Sequence, residues 1–437
     1  MKIATSPILS KSIRLGGFLC GFLLGASLAS ADDAPTSFKF SFAPFKVAPG
    51  FTQVLSNAFT PELGYGFDLG TTPAPFGYGG DDALHSGHVT SDKPFYFSAA
   101  VPEGNYNVTV TLGDLNGEST NTVKVEAHRL MLEEVRTATG KFETRTFTVN
   151  TRTSKMYPPV PNNAPGRNEV TLSQFEQRPG GGLSWDDKLT FEFNNTRPCL
   201  CAIEITKADD APTIFLAGDS TVTDQRSEPG ASWGQMLPRF FKPGVAVANY
   251  AETGETLKSF ITALRLDKIL SQMKKGDYFL IQFGHNDGNA TWPQTYAEAS
   301  TTYKSYLKVY IAEARRRGAT PVLISPMERQ GGVNGNTLGG YPEAVRQVAE
   351  EEKVAFIDLH SISKTFYLAL GPNVRSAFTD GTHHTKYGAY ELAKCVVEGI
   401  KASKLDLAKF IADDVPPFDP AHPDPIDSLT LVPSPDK

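Results

Sequence analysis

Thr213-Ile214-Phe215-Leu216-Ala217-Gly218-Asp219-Ser220-Thr221 is the stretch whose reading decides the fold. From Ile214 to Ala217 it is short, apolar and unalternating, as in a strand covered on both faces. Gly218 permits a sharp turn where the strand ends, and Ser220 follows at the carboxyl end, the rim where open α/β sheets bind ligands. A serine there is a nucleophile if a base reaches it. The alternative is that Asp219 and Ser220 only cap the next helix.

Working outward, further buried-strand signals recur at Val245 to Asn249, Tyr278 to Phe283, Pro321 to Ser325 and Val354 to Asp358. Amphipathic, helix-length segments lie between them at Trp233 to Phe241, Ser259 to Met273, Thr302 to Arg317 and Pro342 to Glu352. A last helix from Lys386 to Ser403 places Tyr390, Ala393, Val397 and Ile400 on one face. This rhythm predicts an α/β fold over 213–410, a five-stranded parallel sheet with right-handed crossovers. Residues 411–437 form a proline-rich tail expected to be extended or loosely packed.

The preceding residues read as all-β. Phe38 to Phe42, Phe95 to Phe97 and Tyr106 to Leu112 alternate with period two, and short strands follow at Val123 to Ala127, Lys141 to Val149 and Lys188 to Phe193. Gly- and Asn-rich turns separate them, which predicts a β-sandwich over 32–206, with residues 151 to 182 as a long irregular loop. Residues 207–212, polar and ending in Pro212, are the expected linker.

A chain of 437 residues with 40% hydrophobic and 21% charged residues is ordinary globular material for two such domains. Its net charge of −6 argues against nucleic acid as a partner. Lys2, Lys11 and Arg14 precede an apolar stretch from Leu15 to Leu28, and Ala29-Ser30-Ala31 offers small residues for cleavage. Residues 1–31 are therefore expected to be a signal peptide, removed on export to the periplasm or beyond, with no stable membrane anchor left. Cys199, Cys201 and Cys395 would then remain, too few for a disulfide scaffold.

Three of the strands end in small or polar residues: Gly218-Asp219-Ser220-Thr221, then Asn249-Tyr250-Ala251-Glu252-Thr253-Gly254, then Gly284-His285-Asn286-Asp287-Gly288. In the flavodoxin-like order 2-1-3-4-5, Gly254 and Asn286 flank Ser220 from its two neighbours. A backbone N–H from Gly254 and the amide of Asn286 would then stabilise charge developing on an attacked carbonyl. The base is expected from Phe378-Thr379-Asp380-Gly381-Thr382-His383-His384-Thr385, where Asp380 precedes His383 by three residues and one tight turn brings them together. A metal held by His383, His384 and Asp380 is the competing reading, but no further carboxylate or cysteine cluster is spaced to complete its shell. No metal or organic cofactor is implied. His285 is expected to be structural or to line the site wall.

These four blocks, in this order, resemble the GDSL or SGNH hydrolase superfamily. The resemblance implies Ser220 as nucleophile, Asp380 and His383 as its triad partners, and the N–H of Ser220 with Gly254 and Asn286 as oxyanion donors. Gly218 to Val222, Ser232-Trp233-Gly234-Gln235 and Phe283 to Gly288 are similar to the rhamnogalacturonan acetylesterases, which implies acetylated pectin as the partner and substrate. Asp219, Thr221, Trp233, His285 and His384 are the further substrate-side candidates. The β-region resembles a galactose-binding-like sandwich, with Phe76, Tyr78 and Trp185 as candidate sugar contacts, although packing into the sandwich is the favoured role for these rings. The expected function is an exported carbohydrate esterase. The alternatives are an acetylxylan esterase or lipase with the same triad, and a polysaccharide-binding protein with an inactive hydrolase domain.

Overall fold

The computed structural model describes residues 36–156, 168–177 and 181–435, so the expected signal peptide at 1–31 lies outside the described residues. Five strands form a parallel sheet: β1 (Thr213–Gly218), β2 (Ala246–Asn249), β3 (Tyr278–Gln282), β4 (Thr320–Ile324) and β5 (Ala355–Ile357), in the order β2-β1-β3-β4-β5. The order is the expected 2-1-3-4-5, and β1 lies between β2 and β3.

Alternate residues along each strand feed two separate cores. Ile214, Leu216, Leu280, Val322 and Ile357 pack on one side with helices α1 (Trp233–Met236), α6 (Leu359–Leu370) and α7 (Lys386–Ala402). Phe215, Ala217, Phe279, Ile281 and Leu323 pack on the other with α2 (Leu257–Thr262), α3 (Arg265–Gln272), α4 (Lys304–Arg316) and α5 (Tyr341–Glu352). Apolar residues pointing both ways explain why these strands read as unbroken hydrophobic runs. Among the described residues no helix is long and apolar enough to cross a membrane.

Several helical features differ from the expectation. The helix expected over Trp233 to Phe241 is α-helical only to Met236 and tightens to a 3₁₀ turn over Leu237–Phe240. The helix expected over Ser259 to Met273 is two helices, because Leu264 adopts a left-handed backbone with φ of 63° between α2 and α3. Helix α6 has no counterpart in the sequence reading; it starts where the Asp358 side chain caps the backbone N–H of Ser361 and is held by Phe366, Tyr367 and Leu370 in the core.

The residues before the parallel sheet form two facing antiparallel-rich sheets. One has the strand order 141–151, 104–114, 199–207, 37–41 and 52–53, with the 74–77 and 87–90 hairpin attached to the 199–207 strand. The other runs 65–68, 95–100, 188–194, 119–125 and 129–137. Between them lies a core rich in phenylalanine, including Phe40, Phe42, Phe67, Phe95, Phe97, Phe191 and Phe193. Cys199, Cys201 and Cys395 are buried free thiols.

Among the described residues, sandwich and α/β sheet belong to one compact unit. Asn105 in the sandwich donates to the Thr213 hydroxyl at 2.8 Å, and Ala208, in the expected linker, donates its N–H to the Asn105 carbonyl at 2.7 Å. Segment 168–177 of the long loop crosses onto the α/β half, where the Ser173 hydroxyl donates to Glu252 at 3.2 Å and Glu176 pairs with Arg265. The tail is extended but anchored: Leu431 and Ser434 are buried, and Ser434 binds Glu192 in the sandwich.

Lys124 ties three parts of the chain together. Its ammonium, 3% exposed, donates to Glu228 at 3.2 Å and to the Ser434 hydroxyl at 2.6 Å, and lies 3.7 Å from Glu192. Burial opposes ionisation of Glu192, but Lys124 and hydrogen bonds from His128 and Ser434 pull its carboxyl far below the usual range. Glu228 keeps the Lys386 ammonium at 2.7 Å, but Lys124→Met takes the ammonium away from the buried Glu192 carboxylate, so it is expected to lower the unfolding free energy by about 3–5 kcal/mol in urea titrations. A loss below about 1 kcal/mol would contradict this role.

Candidate active site

β1 ends at Gly218 against its neighbours: a Cβ there would stand 2.5 Å from Val222 and 2.9 Å from the Gln282 carbonyl, so only glycine fits. The turn that follows presents Ser220, 6% exposed, at the carboxyl edge of the sheet. Its hydroxyl lies 2.8 Å from His383 Nε2, and His383 Nδ1 lies 2.7 Å from Asp380 Oδ2. The backbone N–H groups of Thr382 and His383 donate to Asp380 Oδ1 at 2.6 and 2.7 Å, closing the tight turn the spacing suggested. Burial works against ionisation of Asp380, yet these hydrogen bonds and His383 lower its carboxyl to about 2. Asp380 is thus an anion at any pH near neutrality, suited to orient the imidazole and to stabilise its protonated form.

The turn bearing His383 is held from several sides. Thr379 N–H donates to the His383 carbonyl at 2.9 Å, Gln330 N–H donates to the Gly381 carbonyl at 3.1 Å, and the Arg375 guanidinium donates to the Thr379 carbonyl at 3.1 Å. Immediately after it, His384–Thr385 pairs with Gly230–Ala231 in a short antiparallel ladder.

Gly254, with φ of 83°, sits in the loop after β2, and Asn286 follows β3. One hydrogen of the Asn286 amide is donated to the Glu255 carbonyl at 3.1 Å, which locks the amide beside the Gly254 loop. An amide nitrogen carries two hydrogens, and the second is the expected oxyanion donor. The buried Asp287 carboxylate accepts from Leu257 N–H at 2.9 Å and from Gly284 N–H at 3.0 Å, joining the loops after β2 and β3.

The five further substrate-side candidates are, like Ser220, buried, and each is hydrogen-bonded within the protein. Asp219, fully buried, accepts from the Thr221 N–H at 3.0 Å and the Thr221 hydroxyl at 2.7 Å, and lies 3.3 Å from His285 Nδ1. Burial opposes it, but His285 and these bonds hold the Asp219 carboxyl below its ordinary range. His285 Nε2 faces the Met327 carbonyl at 2.9 Å. Thr221 also accepts from Gln282 at 2.8 Å, and Gln282 accepts from the indole of Trp233 at 2.8 Å. His384 is 1% exposed with Nε2 2.7 Å from the Tyr367 hydroxyl. These residues brace the wall behind the triad. Trp185, a candidate sugar contact, is likewise buried, donating to Glu176 at 2.7 Å and packing edge-on against Tyr250. Tyr78 donates to Asp114 at 2.7 Å, whereas Phe76 is 46% exposed.

A cleft of about 330 Å³ opens beside Gly254, lined by Thr253, Glu255, Ser259, Trp292, Gln294 and Thr295. The sequence reading missed Trp292, Gln294 and Thr295. The signal was present, since Asn289-Ala290-Thr291-Trp292-Pro293 is a turn-rich stretch with an aromatic residue directly after the third block.

Burial pushes the His384 imidazole down to about 3 from an ordinary 6.5. The unfolded chain therefore binds a proton that the folded chain refuses between those values. Stability from this residue is fully present above pH 6.5 and is lost as pH falls toward 3, by about 1.4 kcal/mol per unit. His384→Gln is expected to flatten the pH dependence of unfolding free energy between pH 6 and 4 by about one proton. An unchanged slope would contradict the assignment.

Residues 214–396 match the family of GDSL-like lipases and acylhydrolases. The chain is 41% identical over 209 residues to the probable rhamnogalacturonan acetylesterase YesY of Bacillus subtilis, spanning 45% of this chain and 96% of that protein. It is 37% identical over 216 residues to the rhamnogalacturonan acetylesterase RhgT of the same organism, spanning 44% and 91%. A longer match, 28% identical over 394 residues, joins 84% of this chain to 91% of the uncharacterized esterase YxiM of B. subtilis, and so includes the sandwich. With relatives of this identity matched over nearly their whole length, the chain belongs to the GDSL-like lipase and acylhydrolase family and is a carboxylic ester hydrolase.

Proposed function

We propose that the protein is an exported acetylesterase that removes O-acetyl groups from pectic rhamnogalacturonan through an acetyl-enzyme. The observation that carries the chemistry is the unbroken chain Ser220 Oγ, His383, Asp380, with contacts of 2.8 and 2.7 Å. Ser220 attacks the acetyl carbonyl while His383 Nε2 takes its proton. The N–H groups of Ser220 and Gly254 and the amide of Asn286 hold the oxyanion. Collapse expels the sugar hydroxyl, which receives the proton from His383. Water, deprotonated by His383, then releases acetate and restores Ser220.

Two lines support the substrate class. The relatives matched at 41% and 37% identity carry the name rhamnogalacturonan acetylesterase. The cleft beside Gly254 is lined by hydroxyls, an amide and a carboxylate around one half-exposed indole, a lining suited to a sugar ring rather than to a fatty acyl chain. Export rests on the leader-like residues 1–31, and an N-terminus at Asp32 on the secreted protein is its direct check.

The test is acetate release from acetylated rhamnogalacturonan, acetylated xylan, acetylated homogalacturonan and a p-nitrophenyl ester in parallel. Preference for the first is expected; equal or greater activity on xylan would overturn the pectin reading while leaving the triad in place. Ser220→Ala is expected to lower kcat by at least about 10⁴-fold. Asn286→Ala is expected to lower it by about 10²–10³-fold with little change in KM. Full activity in Ser220→Ala would remove the nucleophile assignment.

A further inference from the structure

Far from the triad in sequence, three neighbouring strands of the sandwich bring together donor groups that the esterase chemistry does not use. His88 lies on strand 87–90, Asp114 ends strand 104–114, and Cys199 begins strand 199–207, which pairs with both of the others. A ring nitrogen of His88, an Asp114 carboxylate oxygen and Cys199 Sγ all lie within 4.8 Å of one another, and all three residues are buried. His88 is 1% exposed, and its Nε2 has no hydrogen-bond partner; Asp114 Oδ2 is 3.8 Å away, too far for one. A buried ring nitrogen left without a partner beside a carboxylate and a thiol calls for a further group to satisfy it.

We infer that His88, Asp114 and Cys199 form a site for a divalent transition metal of the zinc class. The donor set is one imidazole nitrogen, one carboxylate oxygen and one sulfur, the borderline-soft combination that zinc favours. Tetrahedral zinc, with bonds of about 2.0 to 2.3 Å, sets its ligand atoms about 3.3 to 3.7 Å apart. The separation of 3.8 Å between His88 and Asp114 is close to this, and the whole cluster needs to contract by about an ångström or less. A water molecule would fill the fourth position.

The surroundings fit such a site. Phe76 stacks on the His88 ring at 5.8 Å and 17°, fixing its plane. Asp114 Oδ1 accepts from the Tyr78 hydroxyl at 2.7 Å and from Asn116 N–H at 2.9 Å, which orients the carboxylate as outer partners orient metal ligands. Cys199 Sγ contacts the Thr90 hydroxyl at 3.5 Å and the Arg197 carbonyl at 3.4 Å. The Arg197 guanidinium, 40% exposed, pairs with Asp114 Oδ2 and donates to the Glu118 carbonyl at 2.8 Å, so it neutralises the buried carboxylate without metal and has to release that oxygen for a cation to bind. Burial keeps the Cys199 thiol protonated and the His88 imidazole neutral without metal. Coordination then releases the thiol proton to solvent, forms the metal–sulfur bond and requires no change of oxidation state.

The test uses the full secreted chain, stripped with EDTA and titrated with Zn(II) by calorimetry and with Co(II) by absorption. One equivalent of Zn(II) is expected to bind and to raise the thermal midpoint, and Co(II) is expected to give a thiolate-to-metal charge-transfer band. The band should vanish in Cys199→Ser and in His88→Gln and persist in Cys201→Ser, while kcat/KM on a p-nitrophenyl ester is unchanged by EDTA or Zn(II). Binding well below one equivalent in the unaltered protein would overturn the site, as would a band that survives in Cys199→Ser. The unaltered protein's stoichiometry and band decide the matter even if a variant does not fold.

Discussion

The contact between Ser220 Oγ and His383 Nε2 spans 163 residues of sequence in 2.8 Å, and much of the α/β half is organised to deliver it. One end comes from β1, which has to lie inside the sheet so that its carboxyl end is flanked by the loops after β2 and β3. The other end comes from a turn that makes no strand of its own and therefore needs external support. It receives this from Asp380 within the turn, from Gln330 and Arg375 outside it, and from the short ladder with Gly230–Ala231. A hydrogen bond of this length tolerates little displacement, so these supports belong to the reactive geometry as much as the triad does.

Charge is arranged on the same principle. Asp219 and Asp287 stand behind the reactive residues, fully buried and bound by backbone N–H groups that fix loop ends; His285 and Thr221 hold Asp219 ionised, whereas burial pushes the Asp287 carboxyl up to about 7. Where the sandwich meets the α/β half, Lys124 and Glu192 with Glu228, and Arg265 with Glu176, put full charges in places with little access to water. Such groups are costly to bury and add little net stability as pairs. Their effect is to fix one relative placement: Glu176 holds segment 168–177 against the α/β half, and Ser173 of that segment reaches Glu252, two residues before Gly254.

Most of the parallel sheet was legible in the sequence, because strands buried on both faces leave unbroken apolar runs and because motif residues fall at their ends. The triad was legible for the same reason, with Asp380 and His383 close enough in sequence for one turn. What escaped the reading has physical causes. Helix α6 contains Ser361, Ser363 and Thr365, poor helix formers, and exists through its Asp358 cap and buried aromatic residues. The break at Leu264 carries no Gly or Pro to mark it; it turns Arg265 inward to Glu176 from a distant loop. Strand 199–207 is central in its sheet and buried on both faces in its first half, so it lacks alternation. Asp219, Thr221, Trp233, His285 and His384 neighbour the site in sequence, but their partners, such as Met327 for His285 and Tyr367 for His384, come from distant segments and are visible only in the fold.

The measurement that bears most directly on this picture is acid-quenched peptide mass mapping after brief mixing with an activated acetyl ester. The triad geometry predicts one acetyl group on the peptide containing Ser220, appearing before steady-state acetate release and absent in His383→Ala. Rapid turnover with no acetyl group on Ser220, or with the group on another residue, would contradict it.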